Sequence, residues 1–187
     1  MDTTLTIVVV VLLALVLLGA ATWMISTRKR SKELRERFGP EYDRSIQEAG
    51  RRQDAESVLQ ERSERVQKLR IKELSSDERH RFSEAWREVQ AQFVDEPARS
   101  IGRADTLVQE VMDARGYPIT DFEQQAADIS VDHPEVVTNY RAAHQIAQTH
   151  ELEGVGTEDL RQAMLHYRAL FSDLLGAPEG TPQRRAG

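Results

Sequence analysis

Cysteine is absent from these 187 residues. That removes disulfides, thiolate nucleophiles and CxxC-type zinc sites, and it suits a reducing compartment. Lysine disappears after Lys72: residues 73–187 hold 11 arginines and no lysine, against 21 acidic side chains. An acidic distal part is repelled by nucleic-acid phosphates, which excludes nucleic acid as a partner there. No stretch alternates apolar and polar residues in the manner of a strand. The phosphate-cradling GxxxxGK[ST] and GxGxxG patterns, the GxSxG elbow, HExxH and inward ExxH repeats are also missing. No cofactor, metal or catalytic residue is therefore implied.

What the chain does have is an uncharged run of 21 residues, Leu5 to Ile25. As a helix it spans about 31 Å, the thickness of a bilayer hydrocarbon core, with every backbone group satisfied internally. A cleaved secretory signal would be shorter and would follow basic residues; here Met1–Thr4 carry none, and Trp23-Met24-Ile25 continue past Gly19-Ala20-Ala21. The reading is an uncleaved transmembrane helix over 5–25. The run holds a single glycine, Gly19, and so no GxxxG packing face.

Charge gives the orientation. Residues 28–38 carry six basic and two acidic side chains, whereas only Asp2 precedes the run. The basic flank stays inside, so the expected arrangement has residues 1–4 outside and a cytoplasmic C-terminal domain at the inner (plasma) membrane. Trp23, Arg28, Lys29, Arg30 and Lys32 are the expected membrane-interface residues, with the lipid bilayer as partner.

A basic juxtamembrane segment, 26–40, ends at the breaker pair Gly39-Pro40. Residues 41–74 are rich in Glu, Arg, Gln and Ala and read as a charged helical stalk standing in solvent. Ala55, Leu59, Val66 and Leu69 fit coiled-coil spacing over fewer than three heptads, so homodimerisation through 41–70 is a second reading of the stalk.

Residues 75–175 read as a bundle of four or five helices, making the fold all-α. Ser75 to Glu78 is a capping box opening a stripe of Phe82, Ala85, Trp86, Val89 and Phe93. Pro97 starts a helix with Ile101, Ala104, Val108, Val111 and Met112 inward, ended by Gly116. Thr120 caps a short helix, Asp132 a longer one and Thr157 the last. From 176 to 187 the composition predicts a disordered tail.

The densest stretch is Ser130–His144, SVDHPEVVTNYRAAH. Within it Asp132, His133, Asn139, Tyr140, Arg141 and His144 are the candidate contacts for a partner or ligand. The plainer reading of the same stretch is a helix start and one core face, with His144 a hydrogen-bonded core histidine and His133 first-turn decoration.

The segments FGPEYDR and SVDHPEVVTNYRAAH, set behind a short anchor, resemble a family of uncharacterised single-pass bacterial membrane proteins. The resemblance runs over nearly the whole chain. It implies a bacterial inner-membrane protein with a helical cytosolic domain, and no activity, cofactor or substrate. The expected function is a membrane-anchored module that binds a protein partner at the cytosolic face. The alternative is a membrane-bound enzyme or small-ligand binder using the bundle interior near Tyr140 and His144.

Overall fold

A computed structural model describes residues 3–176, without the side chains of residues 3–11, 14–16, 20–21, 23, 25–27, 152 and 153. The side chain of the expected aromatic anchor Trp23 and tail residues 177–187 therefore lie outside what is described. Among these, eight helices and no strand are present, and the all-α class holds. No helix of the described residues is long and apolar enough to cross a membrane. The anchor expected over 5–25 thus rests on the hydropathy of its sequence.

Helix α1 (Thr3–Phe38) runs unbroken for 36 residues through the apolar run and the basic segment. Gly39, at φ 46, turns the chain, and Pro40 starts α2 (Pro40–Ala49) with a pre-set φ and no amide to satisfy. Gly50, at φ 70, closes α2, and α3 (Arg52–Val66) returns beside it. The 41–74 stretch is therefore not one solvated stalk but a hairpin. Its apolar residues are already covered: Leu59 and Val66 pack with Leu34 and Phe38 of α1, Tyr42 of α2 and Val131 in the later helix Phe122–Asp132. Ala55, Leu59 and Val66, which a coiled-coil partner would have to engage, are buried within this chain.

The bundle comprises five helices, α4 (Ser76–Gln92), α5 (Pro97–Arg115), α6 (Phe122–Asp132), α7 (Pro134–Glu153) and α8 (Thr157–Leu174). The Ser75 hydroxyl accepts from the Glu78 amide while the Glu78 carboxylate accepts from the Ser75 amide, completing the expected capping box. Three other caps differ from expectation. Asp121, not Thr120, accepts from the Gln124 amide and opens α6. Asp132 is the last residue of α6, and its carboxylate instead accepts from the Tyr117 hydroxyl. Gly156 precedes α8, with Thr157 already helical.

Helix α8 packs between α5 and α7, α4 covers α5, and α6 joins α7 to α3. Trp86 stacks on Phe171, ring centroids 4.5 Å apart, at the α4–α8 contact. The connector from α3 to α4 crosses the bundle at Gly116: the Lys72 amide donates to the Arg115 carbonyl, and a Cβ on Gly116 would lie 2.5 Å from the Arg70 carbonyl oxygen. Only glycine fits that crossing, and its φ of 96 favours glycine too.

Phe38 is the buried end of α1, with no exposed surface. Phe38→Ala is expected to lower unfolding free energy by about 3–5 kcal/mol, read by chemical denaturation followed through the helical circular-dichroism signal. A loss under about 1 kcal/mol would show that α1 is not part of the cooperative unit.

Candidate functional site: a buried charge seam

Where the hairpin meets the bundle, the contact is made by charge as well as by apolar surface. Glu41, in the first turn of α2, is 2 % exposed. Arg141 reaches it from α7, Nε donating to Oε1 at 3.3 Å and Nη2 to Oε2 at 3.4 Å. Arg62 approaches from α3, Nη1 lying 3.6 Å from Oε2. The remaining Nη1 of Arg141 donates to Glu123 at 2.7 Å. One turn along α3, Arg65 holds Asp128 of α6, Nε donating at 2.8 Å with Nη2 closing the pair. The Gln124 amide adds a bond of 3.1 Å to the same Asp128 oxygen.

Three arginines thus face three carboxylates along the seam, with no net charge. The spacing explains the geometry: Arg62 and Arg65 sit three residues apart on α3, on the arc that also buries Leu59 and Val66. Burial pulls the Arg62 guanidinium down, against the pull of Glu41. Burial also disfavours the Arg141 charge, but Glu41 and Glu123 more than offset it, and its pKa stands above the ordinary value. Several atoms of the seam are left without a hydrogen bond: Arg62 Nη1, Asp128 Oδ2, Ser45 Oγ and Ser63 Oγ. Glu41 and Asp128 are the buried carboxylates of the seam, whereas Glu123 and Arg65 stay 72 % and 42 % exposed.

The residues predicted from Ser130–His144 do not form one site. Consecutive positions on α7 turn by 100° and meet different neighbours. Only Arg141 joins the seam. Asp132 holds Tyr117, and His133 is not first-turn decoration: its Nδ1 pairs with Asp173 at the end of α8 while its Nε2 is buried without a partner. Asn139 binds His166 Nδ1 at 2.8 Å. Tyr140 is fully buried, its hydroxyl donating to Gln125 at 3.0 Å and its ring between Phe122 and Tyr167. His144 lies flat on Phe122, centroids 3.6 Å apart, so stacking is what holds its ring.

The interior near Tyr140 is filled by these rings. Two clefts of the described surface, about 540 Å³ between α1 and α3 and about 380 Å³ between α4 and α5, are lined by neither Tyr140 nor His144. Among the described residues no group of three or more His, Asp or Glu side chains is placed to hold a metal. Glu41, Arg62, Arg65, Glu123 and Asp128 were not foreseen as functional residues; in the sequence they look like solvated helix charges. The one available signal is Arg62 and Arg65 falling beside Leu59 and Val66 on an apolar arc.

No protein-family model, curated protein or solved structure matches this chain. The family resemblance carried by FGPEYDR and SVDHPEVVTNYRAAH gains no support from these comparisons.

Removing Glu41 leaves two buried guanidiniums facing each other. Glu41→Ala is expected to cost about 3–5 kcal/mol, while the combined Glu41→Leu, Arg62→Met and Arg141→Met replacement costs little or stabilises. Urea denaturation of both variants checks this, and equal losses would show that the charges act independently.

Burial lowers the His144 pKa, opposed by the carboxylates of Asp105, Glu123 and Glu151. A histidine depressed in the folded state supports folding while neutral. Its contribution is complete above its unfolded value of about 6.5 and is lost as pH falls from there through its lower folded value. Between pH 7 and pH 5 the chain should lose more stability than His144→Phe, which keeps the ring stack. Parallel stability curves for the two proteins would contradict the assignment.

Proposed function

We propose that this chain is a membrane-anchored helical module that presents its bundle to a protein partner at the cytosolic face. The anchor is residues 5–25, with the N-terminus outside. The observation that supports this most is the continuity of α1. The apolar run, the basic segment and the buried residues Leu34 and Phe38 belong to one helix. An anchor joined in that way carries its domain as a rigid body at the bilayer, rather than on a flexible leash. The absence of a catalytic motif in the sequence and the filled interior around Tyr140 favour binding over chemistry. The acidic bundle, repelled by anionic lipid, suits a protein partner on its cytosolic side.

Separating membranes from cytosol tests the anchor. Full-length protein should remain with membranes after alkaline carbonate extraction, and a C-terminal tag should be protected from protease in intact cells. A mature chain lacking its first two dozen residues, or a tag cleaved from outside, would overturn the reading. Crosslinking in intact cells followed by purification tests the partner. A specific protein should be recovered with the full chain and not with the anchor alone.

A further inference from the structure

The turn of the hairpin comes back to the level at which α1 leaves the apolar run. Helix α2 has 10 residues, a rise of about 15 Å, and after the turn at Gly39 it contacts α1. The pairing is explicit at Arg35, which donates to Asp43 at 2.9 Å. Gly50 and Arg51 lead directly into α3, and it is α3 that meets the basic segment. Two side-chain observations agree. The Ser31 hydroxyl bonds Glu56 of α3, and Arg30 lines one cleft of about 280 Å³ with Gln53, Glu56 and Ser57.

We infer that the α2–α3 turn, residues 50–53, is a second membrane-contact element that forms with Arg28, Lys29 and Arg30 a basic collar seated on anionic lipid headgroups. The inference rests on the anchor reading above, and it names lipid as the partner of this face of the domain. Arg28, Lys29 and Arg30 are exposed and have no carboxylate in ion-pair range among the described residues. Arg51 pairs with Asp54 and Arg52 with Glu56, yet their side chains remain 81 % and 60 % exposed, leaving donors free for phosphate. Starting the count at Ile25, Arg30 lies about 8 Å below the hydrocarbon edge, at headgroup depth. Gly50 and Gly19 are the sites of this region where an added Cβ meets nothing; at Gly50 this leaves the backbone of the turn open to approach. The collar is cationic where the rest of the domain is acidic, which fixes which side faces an anionic leaflet.

The lack of native cysteine makes the test direct. Single replacements Thr27→Cys and Gln53→Cys are made in the full chain, labelled with a fluorophore and reconstituted into vesicles containing a headgroup-level quencher. Two lipid compositions are compared, phosphatidylcholine alone and phosphatidylcholine with one-fifth phosphatidylglycerol. The expected result is quenching of both labels in anionic vesicles. Adding Arg51→Gln and Arg52→Gln should reduce quenching at 53 several-fold and leave 27 unchanged, as should moving to neutral lipid. Two basic residues contribute about 25-fold to the population seated on the surface, at roughly fivefold each. Quenching at 27 without quenching at 53 would overturn the collar and leave the anchor standing. Quenching at 53 that ignores both lipid charge and the arginine replacements would overturn the role of anionic headgroups. No quenching at either position would overturn the anchor and the collar together.

Discussion

Glu41 is held between Arg62 and Arg141, and the relation of the first three helices to the remaining five depends on that clamp. Arg62 is the hairpin's half of the clamp and Arg141 the bundle's, so Glu41 is tied to both. A carboxylate between two guanidiniums does not slide. Asp128 repeats the constraint one turn away through Arg65, and two points define an angle as well as a position. The continuity of α1 then carries this fixed geometry into the apolar run, so the seam sets the bundle relative to α1 and the whole body tilts as one unit.

The interior follows a related rule. All three tyrosines of the bundle core lie buried with the hydroxyl on an acidic or amide acceptor, Tyr117 on Asp132, Tyr140 on Gln125 and Tyr167 on Asp105. Burial and these neighbours push their phenol pKa values well above the ordinary range, leaving them neutral donors. Large rings supply apolar area, and each oxygen meets a protein acceptor. Tyr42 does the same in the hairpin by donating to Glu56. Each of these four tyrosines ties its own segment to another helix.

How much of this was legible in the sequence depended on the reach of each signal. The capping box at Ser75–Glu78, Pro97 at a helix start and Gly116 at a helix end act over a few residues, and the structure has all three. The stripe Phe82–Trp86–Val89 points inward because period alone decides it. Asp132 misled because an Asx-Xaa-Pro pattern signals a cap, whereas a tertiary partner, Tyr117, claimed the carboxylate. The charge seam was not legible. Arg65 and Asp128 lie 63 residues apart and Glu41 and Arg141 lie 100 apart, and no local pattern distinguishes these arginines from Arg44 or Arg161 on the surface. The stalk was misread for the same reason: its sparse apolar residues look too few for a core until α1 and α6 supply the other half.

The 100-residue span between Glu41 and Arg141 also sets an order of assembly. A ribosome delivers the hairpin long before it delivers α7, and contacts of such separation close late. In the interval Leu59 and Val66 have the end of α1 as cover but lack Val131, and Glu41 faces Arg62 alone. The nascent domain therefore waits with a half-covered apolar strip beside an unfinished charge cluster, and emergence of α6 and α7 is what seals it.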